Sequence, residues 1–160
     1  MDLKEYQARG LETAKPTALN EAYLAPMIVG EIGEVFGKVA KATRDEWETE
    51  RFEQEMLKEV GDVCWGVAVY AHHIGATLPA YKGVEEEDME TVLNAIIYEA
   101  NNLYAYPWEV EDALEGIWVT LQAGARALTG HTFDEVLEAN LAKLADRQAR
   151  GVIGGSGDDR

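Results

Sequence analysis

Apolar residues recur every three or four positions along most of the chain, which is the period of an amphipathic helix. The two clearest stripes are Leu24, Ile28, Ile32, Val35, Phe36 and Val39, and then Phe52, Met56, Val60, Val63, Val67 and Tyr70. No segment alternates convincingly with the period of two that indicates a half-buried strand. The sequence therefore predicts an all-α fold, a bundle of about five to six helices.

Capping and breaking residues set the expected helix boundaries. The pattern predicts helices over about 3–13, 20–43, 46–74, 89–104, 108–128 and 132–149, with a loop over about 75–88. Pro16 and Pro107 interrupt the pattern, and Thr132 with Glu135 forms a capping box at the start of the last helix. Residues 1–150 are expected to form one domain, and 151–160 a Gly-rich tail.

Two acidic motifs lie inside the second and third helices, Glu31-Ile32-Gly33-Glu34 and Glu59-Val60-Gly61-Asp62. Carboxylates three residues apart point from one face of a helix, so two adjacent helices would bring four together. At a separation of ~4–5 Å, two such charges repel each other by roughly 3–4 kcal/mol if the effective dielectric constant is about 20. Ordinary charge pairing with lysines is the alternative, but apolar neighbours flank all four acids closely. The motifs therefore predict a divalent cation site.

The donor types narrow the cation. Carboxylate oxygens favour a hard ion, Mg²⁺ or alternatively Mn²⁺. A di-iron bundle would need Glu-x-x-His pairs, but the residues three places before His72, His73 and His131 are Val69, Tyr70 and Leu128. The supply of His and Cys is also wrong for a zinc hydrolase.

Asn140, Lys143 and Arg147 form a second constellation on one face of the last helix. A Lys and an Arg beside an amide suit the recognition of phosphate oxygens. The alternative is that the two cations merely complement the dipole at the C-terminus of the helix. Both interpretations remain open at this point.

The charge balance excludes one large class of partner. A net charge of −16 repels nucleic-acid backbones, so nucleic-acid binding is not expected. Cys64, the only cysteine, is expected to be a buried thiol, which fits a reducing cytoplasm. The N-terminus lacks a signal-peptide pattern, and residues 63–81, although free of Lys, Arg, Asp and Glu, are expected to form a core helix and not a membrane span.

The second half of the chain faintly echoes the first. Residues 96–102 can be laid on residues 28–34, which puts Glu99 at the place of Glu31 and Asn102 at the place of Glu34. Asp112 and Glu115 likewise mirror Glu59 and Asp62. The echo indicates either a duplication whose second copy lost a ligand or a chance similarity between amphipathic helices.

The motifs together resemble the all-α nucleoside triphosphate pyrophosphohydrolases, and MazG-like proteins most closely. The resemblance rests on both acidic motifs, on Tyr6-Gln7, on Asn140-Leu141-Ala142-Lys143-Leu144 with Arg147, and on Gly154-Gly155-Ser156-Gly157-Asp158. It covers residues 1–75 and 131–160. Where some members carry a lysine, four residues before the second acidic pair, this chain has Glu55.

The resemblance implies Mg²⁺-dependent hydrolysis of a nucleoside triphosphate to the monophosphate and pyrophosphate. Glu31, Glu34, Glu59 and Asp62 would hold the metal, with Glu34 and Glu31 catalytic. Asn140, Lys143, Arg147 and Gln7 would bind the substrate, and a homodimer or homotetramer would be expected. Two alternatives stay open, a non-catalytic acidic binding protein or nucleic-acid mimic, and a phosphohydrolase acting on another phosphoanhydride.

Overall fold

The protein is all-α in a computed structural model that describes residue 1 and residues 3–79 and 85–152. The helices are α1 (Leu3–Thr13), α2 (Glu21–Arg44), α3 (Thr49–Ile74), α4 (Met89–Ala105), α5 (Val110–Thr129) and α6 (Phe133–Ala149). Short 3₁₀ helices occupy Pro16–Ala18 and Pro107–Glu109. No strand occurs among the described residues, so the predicted fold class is confirmed. Most of the 75–88 loop is described, whereas most of the 151–160 tail lies outside the described residues.

Local chemistry explains most of the boundaries. The Asn20 side chain accepts a hydrogen bond from the Tyr23 N–H at the start of α2, and Thr132 and Glu135 form the expected capping box. The predicted start of α3 at Glu46 is wrong. Glu46 has a φ of 50°, in the left-handed region, so the chain turns there and the helix begins at Thr49.

Four helices form the bundle as two hairpins. The α2–α3 hairpin packs on the α4–α5 hairpin, with α2 beside α4 and α3 beside α5. Helices α1 and α6 contact each other and both pack on α3, while α6 also contacts α5. This arrangement makes α3 the central helix, because it contacts four of the other five.

The apolar stripes of the sequence meet in one core. Ile28, Ile32 and Val60 are fully buried in it together with Trp118. Cys64 is also fully buried, and burial raises the pKa of its thiol, which makes it a packing residue and a poor nucleophile. None of the described helices combines the length and the apolar character that crossing a bilayer requires.

Candidate metal and phosphate site

Three of the four acids from the two motifs converge between α2 and α3. One carboxylate oxygen from each of Glu31, Glu34 and Glu59 lies within 4.8 Å of the others. The three side chains differ in accessibility, since Glu34 is exposed, Glu31 half-buried and Glu59 buried. The cluster is therefore open to solvent on its α2 side and closed on its α3 side.

The carboxylates disturb one another electrostatically. Burial, and after it the negative charges of Asp62, Glu34 and Glu59, together raise the pKa of Glu31 from 4.5 to about 7. Both burial and the neighbouring acids thus disfavour the ionised form of Glu31. A cation bound between the carboxylates would favour that ionised form.

Lys38 corrects one expectation from the sequence. From the sequence we expect Lys38 to be a solvated helix lysine, but it is only 6% exposed. Its ammonium nitrogen lies 2.7 Å from Glu55 Oε2 and 3.0 Å from Glu59 Oε1. Both partners belong to α3, so the helix pairing buries the lysine and satisfies its charge at the same time.

Glu55 is held by two lysines. Lys38 donates to Glu55 Oε2, and Lys58 donates to Oε1 at 2.7 Å. Their hydrogen bonds lower the pKa of Glu55 from 4.5 to about 2, so it stays ionised. Glu55 thus belongs to an ion-pair network beside the acidic cluster.

Asp62, the fourth predicted ligand, faces α6. Its Oδ1 accepts hydrogen bonds from Asn140 Nδ2 at 3.0 Å and from Lys143 Nζ at 2.6 Å. Asn140 is itself buried, and its Oδ1 accepts a bond of 3.0 Å from the Tyr6 hydroxyl. Burial raises the pKa of Tyr6, so the hydroxyl remains a donor. Helices α1, α3 and α6 are therefore joined at Asp62.

Gly61 permits this close approach. A Cβ atom built on Gly61 would lie 2.9 Å from Asn140 Cβ and 3.1 Å from Asn140 Nδ2. Any larger residue would therefore collide with α6. The glycine inside the second acidic motif lets α6 dock directly over α3.

A cavity of about 470 Å³ opens between α3 and the C-terminal part of the chain. Glu59 and Asp62 line it together with four cationic side chains, which are Lys58, Lys143, Arg147 and Arg150. The predicted trio Asn140, Lys143 and Arg147 thus lines one cavity, at whose edge two of the acidic residues lie. An anionic ligand in this cavity would meet these four cations and, at Glu59 and Asp62, the edge of the acidic site.

Gln7 is engaged elsewhere. Its Nε2 donates to the backbone carbonyl of Ala68 at 3.1 Å, which ties α1 to α3. Ala68 lies six residues beyond Asp62, or about 9 Å along the helix at a rise of ~1.5 Å per residue. Contact between Gln7 and a substrate base remains a prediction.

The site contains residues that the sequence patterns did not single out. Lys38 and Glu55 pair across two helices, and Arg150 follows the last helical residue. Lys58 is separated from Glu55 by one turn, a spacing that could have identified this pair. No spacing rule links Lys38 to α3, because that contact depends on how the helices pack.

The oxygen-rich cluster fits a hard divalent cation. Its three carboxylates supply the ligand type that Mg²⁺ and Mn²⁺ prefer, and the exposed Glu34 leaves room for water ligands. Among the described residues, no other group of acidic, His or Cys side chains shares this geometry. Comparisons with known proteins add nothing here, since no family model, no curated protein and no solved structure matches the chain.

Proposed function

We propose that the protein hydrolyses nucleoside triphosphates to nucleoside monophosphate and pyrophosphate in a Mg²⁺-dependent reaction. One observation carries this proposal: an acidic cluster and a set of four cations meet at one cavity between α3 and α6. A triphosphate needs both, because the metal neutralises phosphate oxygens and cationic side chains hold the leaving group. The family resemblance of the two acidic motifs supports the same reaction.

The roles of the acids follow from their exposure. Glu31, Glu34 and Glu59 would hold the cation, which would polarise the phosphate oxygens when bound, and Asp62 would complete the set. Glu34 is the exposed member of the cluster, so it is accessible to the attacking water and would accept the water proton, with Glu31 beside it. The water oxygen would bond to the α-phosphorus while the bond from this phosphorus to the α–β bridging oxygen breaks.

The cations would bind the departing pyrophosphate. Lys143 reaches from α6 to Asp62 and to the Lys58 carbonyl, so its ammonium is held at the boundary between cavity and cluster. Arg147 lines the same cavity one turn further along α6. Asn140, fixed by Tyr6, would orient a phosphate or the sugar.

The alternative of an acidic mimic explains less of this arrangement. A mimic needs diffuse negative charge, and it has no use for a partly buried Asn–Asp–Lys network next to a cationic cavity. The alternative of a different phosphoanhydride substrate shares the whole site. The products therefore distinguish these hypotheses.

The decisive experiment is a panel of canonical and damaged nucleoside triphosphates with Mg²⁺ or Mn²⁺, assayed for pyrophosphate and for phosphate. Pyrophosphate release that requires the metal supports the proposal. Phosphate release alone would identify a different bond specificity. No turnover of any nucleotide, with the metal bound, would favour the binding protein.

Self-association and location in the reducing cytoplasm belong to the same proposal, with a homodimer or homotetramer as the expected state. The exposed face of α4 and the following turn carry Tyr98, Tyr104, Tyr106 and Trp108, which are 41–76% exposed. At about 150–250 Å² per aromatic side chain, these leave roughly 500 Å² on each copy, so two copies would bury about 1,000 Å², the lower limit for a specific interface.

Charge favours a second copy on this face. Within residues 91–108, Glu99 is the one charged residue of a chain with a net charge of −16, so like-charge repulsion is weakest there. Tyr98→Glu with Trp108→Glu should lower the mass measured by light scattering to that of a monomer. Glu90→Lys, at the edge of the face, is the control. An unchanged mass for the double variant would place the contact elsewhere.

A further inference from the structure

We infer that Lys38 is a resident cation of the acidic cluster, which limits the cluster to one divalent ion before a substrate binds. The inference rests on the proposed metal-dependent function and concerns how this particular chain arranges its site. It assigns Lys38 as a positioning residue, since the lysine acts on the metal through Glu59.

The first support is the position of the ammonium group. Lys38 Nζ lies between two carboxylates of α3, 2.7 Å from Glu55 and 3.0 Å from Glu59. Two carboxylates bridged at such distances also form a binding place for a divalent ion. The lysine already fills the place that a second metal ion would need.

The second support is geometric. Glu31, Glu34 and Lys38 stand at positions i, i+3 and i+7 of α2, so the ammonium follows the two acids along one face of the helix. The lysine contacts Glu59 at Oε1, and the same carboxylate also offers an oxygen to the cluster with Glu31 and Glu34. The lysine therefore fixes the orientation of a carboxylate that belongs to the cluster.

The third support is the charge count. The site holds five carboxylates, and Lys38, Lys58 and Lys143 contact Glu55, Glu59 and Asp62 with one positive charge each, while Glu31 and Glu34 complete the five. Two carboxylate charges remain, which one divalent ion balances. A second divalent ion would have to displace Lys38 into the core between α2 and α3, where the ammonium would lose its partners.

Lys38 also accounts for the presence of Glu55 beside the cluster. The acid at position 55 would otherwise add another negative charge beside the cluster. Instead it binds the ammonium that reaches across from α2, and Lys58 binds its other oxygen. The cation near the second acidic motif is thus supplied by a different helix.

The test counts Mn²⁺ ions bound by the whole chain without nucleotide, using the electron paramagnetic resonance of free Mn²⁺ and isothermal titration calorimetry. The wild-type protein should bind one ion. Lys38→Gln removes the charge but keeps a hydrogen-bond donor for the buried acids, and it should bind two ions or bind the first at least tenfold more tightly. Lys38→Met should do the same, and Lys38→Arg should restore one ion.

Lys58→Met is the matched control. It removes the other lysine of the Glu55 network but leaves the contact between Lys38 and Glu59, so it should still bind one ion. Circular dichroism establishes that each variant is folded, and Lys38→Gln carries the test if Lys38→Met does not fold.

Three outcomes would overturn the inference. Two ions in the wild-type protein would show that Lys38 excludes nothing. Identical binding by wild type and Lys38→Gln would show that its charge has no influence on the metal. Both results leave the proposed pyrophosphohydrolase intact, whereas a wild-type protein that binds no Mn²⁺ at all would remove the metal basis of both proposals.

Discussion

The two hairpins of the bundle have similar architecture and opposite chemistry. In the α2–α3 hairpin, Glu31, Glu34 and Glu59 converge, and the buried Lys38 contacts Glu59. Helix α6 packs beside them on α3. In α4–α5, Glu99 accepts a hydrogen bond of 3.2 Å from Asn102, the residue that the repeat aligns with Glu34. The comparison shows that acidic residues at matching positions do not make a cluster by themselves. The lysines that contact the acids distinguish the first hairpin.

In the second hairpin, the Glu99 side chain fills the space between α4 and α5. A Cβ atom on Gly116 would lie 2.6 Å from the Glu99 carboxyl carbon, so Glu99 packs directly against α5. Asp112 is exposed, away from any such contact. In this hairpin the acid is used for packing, and the outer face of α4 carries aromatic residues.

The largest difference between the hairpins should appear in catalysis. Glu59→Gln removes a buried carboxylate from the cluster and should lower pyrophosphate release by roughly 10³-fold or more. Asp112→Asn, at the position of α5 that the repeat aligns with Glu59, should leave the rate within about twofold. Steady-state assays with Mg²⁺ and circular dichroism make the comparison. Equal losses in both variants would remove the distinction between the hairpins.

The next effect concerns the buried amide that joins α6 to the first hairpin. Asn140→Ala leaves the Tyr6 hydroxyl without its acceptor and Asp62 without one donor, so the free energy of unfolding should fall by about 2 kcal/mol. Asn101→Ala, on the exposed face of α4, should change it by less than about 0.5 kcal/mol. Urea denaturation measures both values. A smaller effect at Asn140 than at Asn101 contradicts the network described here.

Glu31 should make the metal-free protein less stable as the pH rises. Its pKa is raised from 4.5 to about 7, so above pH 4.5 the unfolded chain loses this proton while the folded chain retains it. The free energy of unfolding should therefore fall between pH 4.5 and 7 and stay low above that range.

Glu31→Gln should remove this dependence and stabilise the metal-free protein at pH 8 by roughly 1–2 kcal/mol, since partial exposure weakens the full effect of the shift. Thermal or urea unfolding at several pH values in a chelator is the measurement. Saturating Mg²⁺ should reverse the order of the two proteins. A variant less stable than wild type in chelator would show that Glu31 is not under electrostatic strain.

The smallest effect should come from adding a second acid to α4 at the position that aligns with Glu34. Asn102→Glu recreates the Glu-x-x-Glu spacing on α4, but it places a like charge beside Glu99 and has no lysine equivalent to Lys38. We expect no additional Mn²⁺ ion and a loss of about 0.5 kcal/mol in stability. Binding of an extra ion would mean that the second hairpin needs only one acid to become a site.

The fold and half of the site could be predicted from local patterns. Asn20, Pro107 and Thr132 act on neighbouring backbone groups, so the helix boundaries near them were predictable from sequence. The acids of each motif share a helix face for the same reason. The start of α3 was mispredicted because Glu46 adopts a positive φ, which favours Gly or Asn and gives no signal in a glutamate.

The rest of the site depends on contacts between distant helices. Lys38 has the sequence context of a surface lysine, and its burial follows from where α3 places Glu55 and Glu59. The bond from Tyr6 to Asn140 spans 134 residues. Such partners are determined by how the apolar faces of the helices pack together. Sequence periodicity shows which face of each helix is apolar, but it does not show which two faces pack against each other.

Gly61 gives the second acidic motif a meaning beyond its carboxylates. Because the glycine has no side chain, the Asn140 side chain of α6 can lie directly against the backbone of α3 beside Asp62. Gly61→Ala would keep every acid and every cation of the site, yet it would hold the two helices further apart. The motif therefore determines two distances. One is the spacing of Glu59 and Asp62 along α3, and the other is the separation between α3 and α6. A chain with the same acids and a bulky residue at position 61 would keep the metal ligands. It would lose the short spacing between these ligands on α3 and the phosphate-binding cations on α6.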